Sequence, residues 1–280
     1  MPVTLAENNY GKQAVRLVTV RRRPDRHELQ DVTVAIRFEG DFTAAYAEGD
    51  NSGVLPTDTM KNTVYALAAE HPFDDIEDFG FALTDHFLTN NPRASSVRVD
   101  LAEHLWEPIE VGGAAHPHAF RKGPSERRIA EVTRDRDGAR ILAGIEDLVV
   151  LKTTKSAFEG FPRDRYTTLK ETSDRILATA VRATWRYSRP HVAFGTLWRE
   201  VRRLLLETFA NHDSRSVQHT LYAMGEAVLE TLDVEEIHIS MPNKHHLPVD
   251  LTPFGLENRN EIFVATTEPF GLIEGTLRRG

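Results

Sequence analysis

The feature that most narrows the fold is an order of elements that occurs twice. In "DVTVAIRFEGDF", Val32, Val34, Ile36 and Phe38 alternate with Thr33, Ala35 and Arg37. Period-two alternation predicts a strand whose sheet has one buried face. The stretch "VRLVTVRRR" before it reads as a partner strand across the turn-like "PDRHELQ". Two helices follow. "TDTMKNTVYALAAEH" aligns Met60, Val64 and Leu67, with Thr57 or Asp58 as N-cap. "DDIEDFGFALTDHFL" aligns Ile76, Phe79, Leu83 and Phe87, and Asp74 with Glu77 reads as a capping box. "VRVDLAEHLWEPI" and "HAFRKGPSERRIAEVTRD" then read as strands.

The second half repeats this order without repeating the residues. "GARILAGIEDLVVLKTT" and "DRILATAVRATWRYS" are predicted strands. "FGTLWREVRRLLLETFANH" and "SVQHTLYAMGEAVLETL" are predicted helices, and "EEIHISMP" and "NEIFVATTEP" close the chain as strands. Strand pairs flanking helix pairs predict an α+β protein, with antiparallel sheet covered by helices on one face. The non-helical stretch from Lys155 to Thr172 exceeds the ~12–15 residues of an ordinary loop, which marks it as functional or buried against a partner.

Composition removes several chemistries. The 280 residues contain no cysteine, so disulfides, thiolate zinc sites, iron–sulfur clusters and cysteine nucleophiles are excluded. A net charge of −8 argues against nucleic acid as a partner. The arginine clusters at Arg21–Arg26 and Glu126–Arg128 read as solvated surface. No run approaches the ~20 apolar residues of a membrane span. "MPVTLAENNYGK" has no apolar signal core and "TLRRG" is no peroxisomal tripeptide, so the expected location is the cytoplasm. Glycine-rich nucleotide loops, G-x-S-x-G and H-E-x-x-H are missing.

The stretch "SMPNKHHLPVDL" places an Asn, a Lys and two His after Pro242. Adjacent residues on a strand face opposite ways, so His245 and His246 cannot share one metal from there. His116 and His118 have period-two spacing, but Pro117 and two glycines predict a loop. No metal site is expected. By its residues alone, "NKHH" is a polar strand end. Four other stretches stand out. Lys12 follows the permissive Gly11 just before the first strand. Thr57 and Asp58 open a helix. "KSAFEGFPRDRYTTLKETSDR" carries Phe158 and Phe161 and ends at Arg175. "RSVQHTLY" begins a helix with Val217 and Gln218.

Together these residue types suit a planar heterocycle with several carbonyl and N–H groups. Arg175 offers a guanidinium fork for paired acceptors. Gln218 offers both a donor and an acceptor, and Phe158 a stacking face. A hydroxyl relayed through an amine and an imidazole, such as Thr57, Lys12 and His245, suits proton removal.

The ordered stretches "NYGKQAVRLV", "VLPTDTMKNTVYALA", "FEGFPRDRYTTLKETSDRILAT", "SVQHTLYAMGEAVLE", "ISMPNKHHLPVDL" and "GLIEGTL" resemble those of the urate oxidase (uricase) family over nearly the whole chain. The resemblance implies the tunnelling fold (T-fold), with one antiparallel-sheet module over residues 1–137 and a second over 138–280, each with two helices on its outer face. It implies a homotetramer whose sites lie between subunits. It implies oxidation of urate by dioxygen to 5-hydroxyisourate and hydrogen peroxide with no metal or organic cofactor.

Residue by residue, the resemblance gives Lys12, Thr57 and His245 the catalytic relay, and Arg175 and Gln218 the grip on the purine. Phe158 becomes the stacking ring, Asp58 and Val217 supply backbone contacts, and Asn243 stands beside the dioxygen and water site. Leu169 and Ile273 are expected as apolar walls. His246 is given no role, because period two turns it and Lys244 away from Asn243 and His245. A non-catalytic purine- or pterin-binding T-fold protein is the alternative. It would keep Arg175, Gln218 and Phe158 without needing Lys12, Thr57 and His245. A purely structural assembly protein would need none of them.

Overall fold

The computed structural model describes residues 3–189 and 192–280. The chain is α+β and divides into two compact units, Met1–Gly144 with Pro190–Gly195 and Ile145–Arg189 with Thr196–Gly280.

In the first unit, β1 (Asn9–Arg22), β2 (His27–Gly40), β3 (Ala94–Val111) and β4 (Ala114–Asp135) lie side by side in chain order, each pair antiparallel. Between β2 and β3 come a short α1 (Thr43–Ala47), then α2 (Thr57–Glu70) and α3 (Ile76–Asn90). The alternation predicted for β2 is the alternation observed: Val32, Val34, Ile36 and Phe38 are fully buried. They pack with Met60 and Val64 of α2 and with Ile76, Phe79, Leu83 and Phe87 of α3. Truncating one such ring, as in Phe38→Ala, costs about 3–5 kcal/mol because the cavity left behind refills poorly.

Both predicted helix caps are corrected. Pro56 is the N-cap of α2, and neither Thr57 nor Asp58 caps it; both are already helical. Asp75, not Asp74, is the N-cap of α3, and no side chain closes a capping box. Glu77 is drawn instead to Arg128, to which Asp75 also accepts a hydrogen bond at 3.0 Å. The "ERR" stretch is therefore not solvated surface, since Glu126 and Arg128 are buried. His116 and His118, expected in a loop, lie on β4. Lys12, expected before the first strand, lies within β1, which begins at Asn9.

The second unit holds the end of β5 (Gly138–Lys152), then β6 (Leu177–Tyr187), most of α4 (Phe194–Asn211), α5 (Val217–Thr231), β7 (Val234–Asn243) and β10 (Gly271–Arg278). β6, β7 and β10 neighbour one another in antiparallel pairs, and α5 packs on β7 and β10. Val217, Leu221, Met224 and Val228 form the buried stripe of α5. A two-stranded ribbon of β8 (His246–Pro248) and β9 (Phe263–Ala265) stands apart.

The predicted strand "NEIFVATTEP" shrinks to Phe263–Ala265 because its only partner is the three-residue β8. The closing strand is β10, which the periodicity missed. Glycines at 271 and 275 lower its strand signal. At Gly275 the fit is close, since a Cβ would lie 3.0 Å from the Leu221 side chain of α5.

Candidate active site

A cavity of about 560 Å³ opens within the second unit, in the size range of small-ligand sites. Three segments wall it. The irregular stretch before β6 contributes Phe158, Leu169 and Arg175. The start of α5 contributes Val217 and Gln218. The end of β7 and the chain after it contribute Asn243, His245 and His246, and Ile273 of β10 also faces it.

Each segment is held by local bonds. The 155–176 stretch is not a floppy connector: Phe158 and Thr172 exchange backbone hydrogen bonds of 2.8 and 3.2 Å. The Arg175 N–H donates to Ser156 O at 2.8 Å. Phe158 stacks on Phe161, with centroids 5.0 Å apart and planes 12° apart. The guanidinium carbon of Arg175 stands 5.1 Å from the Phe158 centroid, within cation–π range. At α5, Ser216 is the N-cap, and its hydroxyl accepts from His219 N–H at 3.1 Å. Beyond β7, Thr266 donates to His245 O through both its N–H (2.9 Å) and its hydroxyl (3.1 Å).

Lys170, Glu171 and Asp174 also line the cavity, yet Arg175 is left without an ion-pair partner among the described residues. Arg175 Nε is buried and has no hydrogen-bond partner. Burial alone pushes the guanidinium below its ordinary pKa, although arginine stays charged at any working pH. Among the described residues, the side chains of Gln218, Asn243 and His245 are also unengaged. Buried polar groups are normally satisfied, so an orphan donor here points to a bound acceptor. The arrangement can hold a flat anion: a fork and an amide at its edge, a ring on its face, and polar groups at the strand end.

Of the residues singled out from sequence, Phe158, Leu169, Arg175, Val217, Gln218, Asn243, His245 and Ile273 meet in this one cavity. His246, expected to turn away, lines it too. β7 ends at Asn243, so strand alternation no longer applies beyond that point. Lys244 alone of that run is absent from the wall, and its N–H donates to Ala178 O at 2.9 Å. Asn260 and Phe263 also line the cavity. Both fall in the stretch that reads from sequence as a closing strand, with no site role expected.

Lys12, Thr57 and Asp58 belong to the first unit and do not line the cavity. They form their own group. The Tyr10 hydroxyl on β1 accepts from Leu55 N–H at 2.9 Å, two residues ahead of Thr57, and α2 packs on β1. Gly11 permits a close strand approach, because a Cβ there would lie 1.8 Å from Ile36 O. The Asp58 carboxyl is held below its ordinary pKa, first by the hydrogen bond from Lys61 and least by the charge of Lys12. The Thr57 hydroxyl makes no cap bond.

No helix among the described residues is long and apolar enough to cross a membrane. Nor, among those residues, do three His, Asp or Glu side chains gather as metal ligands would. The His118 ring lies between those of His116 and His27, with centroids 4.5 and 5.8 Å away.

Comparison with known proteins identifies the family. The family model described as Uricase matches residues 8–133 and 141–274. Uricase from Arthrobacter globiformis is 48% identical over 278 residues, covering 99% of this chain and 90% of that protein. Uricase from Dictyostelium discoideum is 39% identical over 281 residues, covering 99% of this chain and 98% of that one. The crystal structure of uricase from Arthrobacter globiformis superimposes with a TM-score of 0.94, covering 100% of this chain and 96% of that chain. With a family model spanning most of its length and relatives matched nearly end to end, this chain belongs to the uricase family.

Proposed function

We propose that this enzyme oxidises urate with dioxygen and water to 5-hydroxyisourate and hydrogen peroxide, a step of purine breakdown, using no metal or organic cofactor. The single observation that carries the reading is the meeting of Arg175, Gln218 and Phe158 in one cavity, with Arg175 Nε buried and unpaired.

The roles follow from the chemistry of each group. The Arg175 fork donates to paired acceptors on the purine edge, and its uncompensated charge favours an anion. Gln218 matches an edge that carries both a carbonyl and an N–H. Phe158 covers one ring face. The backbone at Val217, at the start of α5, offers a further contact to the ligand edge. Thr57, Lys12 and His245 relay the proton removed from urate. Two electrons pass from the electron-rich anion to dioxygen above the ring, where Asn243 holds dioxygen or water. Dioxygen leaves as hydrogen peroxide, and water supplies the hydroxyl on the purine carbon. The protein binds, deprotonates and positions.

Lys12, Thr57 and Asp58 reach this cavity from a neighbouring copy. The reading is a T-fold assembly, with modules over residues 1–137 and 138–280, in which four chains associate. Sites then form between chains, and an isolated monomer is inactive.

The direct test follows urate absorbance and peroxide release with chelator-treated, assembled protein. Stoichiometric urate loss and peroxide gain are expected. Tight urate binding without oxygen uptake would point to a non-catalytic purine binder instead. Lys12→Met should lower kcat by about 10²–10⁴-fold, the range of general-base catalysis, with KM nearly unchanged. Normal turnover in that variant would overturn the relay.

A further inference from the structure

The two arms of the grip come from separate segments, and one buried serine ties them together. Ser156 and Ser214 form a parallel bridge. The Ala157 N–H donates to Ser214 O at 2.7 Å, and the Ser214 N–H donates to Lys155 O at 2.9 Å. These bonds anchor the Phe158–Arg175 stretch. The side chain of Ser214, wholly buried, works in the other direction. Its hydroxyl donates to Ser216 O at 3.0 Å and accepts from the Thr220 hydroxyl at 2.7 Å. Ser216 is the N-cap of α5 and Thr220 lies in its first turn, on either side of Gln218.

On the loop side the path continues to Arg175. Its N–H donates to Ser156 O at 2.8 Å. The Asp174 carboxylate accepts from Ser156 N–H at 3.3 Å and from the Thr154 hydroxyl at 2.7 Å. These bonds, foremost the one from Thr154, hold Asp174 below the ordinary carboxyl pKa. An unbroken hydrogen-bonded path thus runs from Arg175 through Ser156, Ala157 and Ser214 to the helix turn that carries Gln218. Neither Ser214 nor Thr220 lines the cavity.

We propose that Ser214, with Thr220 as its hydroxyl partner, is a positioning residue that sets the spacing between Arg175 and Gln218. The heterocycle they grip is rigid, so its width cannot adapt. A displacement of about 1 Å at a positioning contact costs up to about 10²-fold in rate or affinity. The inference rests on the urate-gripping reading of the cavity and adds what determines its geometry.

The test compares Ser214→Ala, Thr220→Val and Thr220→Ser in the full-length assembled enzyme. Ser214→Ala removes the hydroxyl but keeps the backbone bridge. Thr220→Val removes the same hydrogen bond from the other side at nearly constant volume. Both should raise KM for urate about tenfold with kcat within about twofold, the signature of lost binding shared by ground and transition states. Thr220→Ser retains the hydroxyl and should restore KM. The double variant Ser214→Ala with Thr220→Val should cost little more than Ser214→Ala alone, which already removes the bond the two side chains share.

Lowered thermal stability with KM unchanged in both single variants would overturn the proposal and leave a structural role alone. If Ser214→Ala does not assemble, Thr220→Val and its Ser control decide the question. If the wild-type enzyme fails to turn over or bind urate, it is the proposed function that falls, independently of these variants.

Discussion

Two arginines, one in each unit, have opposite surroundings: Arg128 is buried, and Arg175 is half-buried with its Nε wholly enclosed. Arg128 in the first unit has three carboxylates about it: Asp75 at 3.0 Å, Glu103 at 3.8 Å and Glu77 in direct contact. Arg175 in the second unit has none, only the face of Phe158 and an unpaired Nε. Burying a charge is costly unless it is paired. The first site settles that cost inside the chain, and the second leaves it open for a ligand. The contrast separates a charge paired within the chain from one left unpaired beside a cavity.

The carboxyl cluster is overcompensated. Burial lowers the pKa of Arg128, but Glu77, Glu103 and Asp75 together raise it further. Burial pushes Glu77 up to about 7 against the pull of Arg128. The directions agree on one picture: the guanidinium stays charged, and burial makes Glu77 and Glu103 hold their protons more tightly than free carboxyls do.

The comparison breaks most sharply on stability. Arg128→Leu strands three carboxylates and should destabilise by about 3–5 kcal/mol at neutral pH, read by urea unfolding. KM for urate should not move in the molecules that remain folded. An unchanged unfolding midpoint would show that the cluster does not serve the fold. Arg175→Ala should do the reverse. Losing a buried charged donor should cost about 2–3 kcal/mol of urate affinity, near 30–150-fold in KM. Its melting temperature should hold or rise, because an uncompensated buried charge is gone. A fall of several degrees with KM intact would erase the distinction drawn here.

The smallest effect concerns pH. Glu77 binds its proton more tightly folded than unfolded, so its contribution is complete below the ordinary value of 4.5 and fades as pH rises towards 7. Glu77→Gln cannot titrate. Its stability should decline less between pH 5 and 7, by about 2 kcal/mol across the window at most. A parallel decline in both proteins would place the titration elsewhere.

Much of this was legible in the residues, and for particular reasons. The β2 alternation and the stripes of α2, α3 and α5 show in sequence because each element obeys its own period. Arg175, Gln218 and Phe158 stood out by residue type, but the expectation that they meet came from the family resemblance, and the structure lines one cavity with all three. The caps of α2 and α3 were misread because a capping signal is local. What drew Glu77 away was Arg128, 51 residues further along the chain. The same long-range pairing turned "ERR" from surface into interior. His246 was misplaced because alternation was extended past Asn243, where the strand ends.

Local periodicity therefore settled the α+β class, the order of elements, the buried faces and the chemical types available to the site. It did so because hydrophobic period and turn chemistry are properties of neighbours in sequence. Only the tertiary structure decided which charges are neutralised and which are left open. It brought Arg175 and Gln218 to one cavity, and it surrounded Arg128 with carboxylates. Electrostatic compensation in a low-dielectric interior depends on distances between residues far apart along the chain, and no local pattern records them.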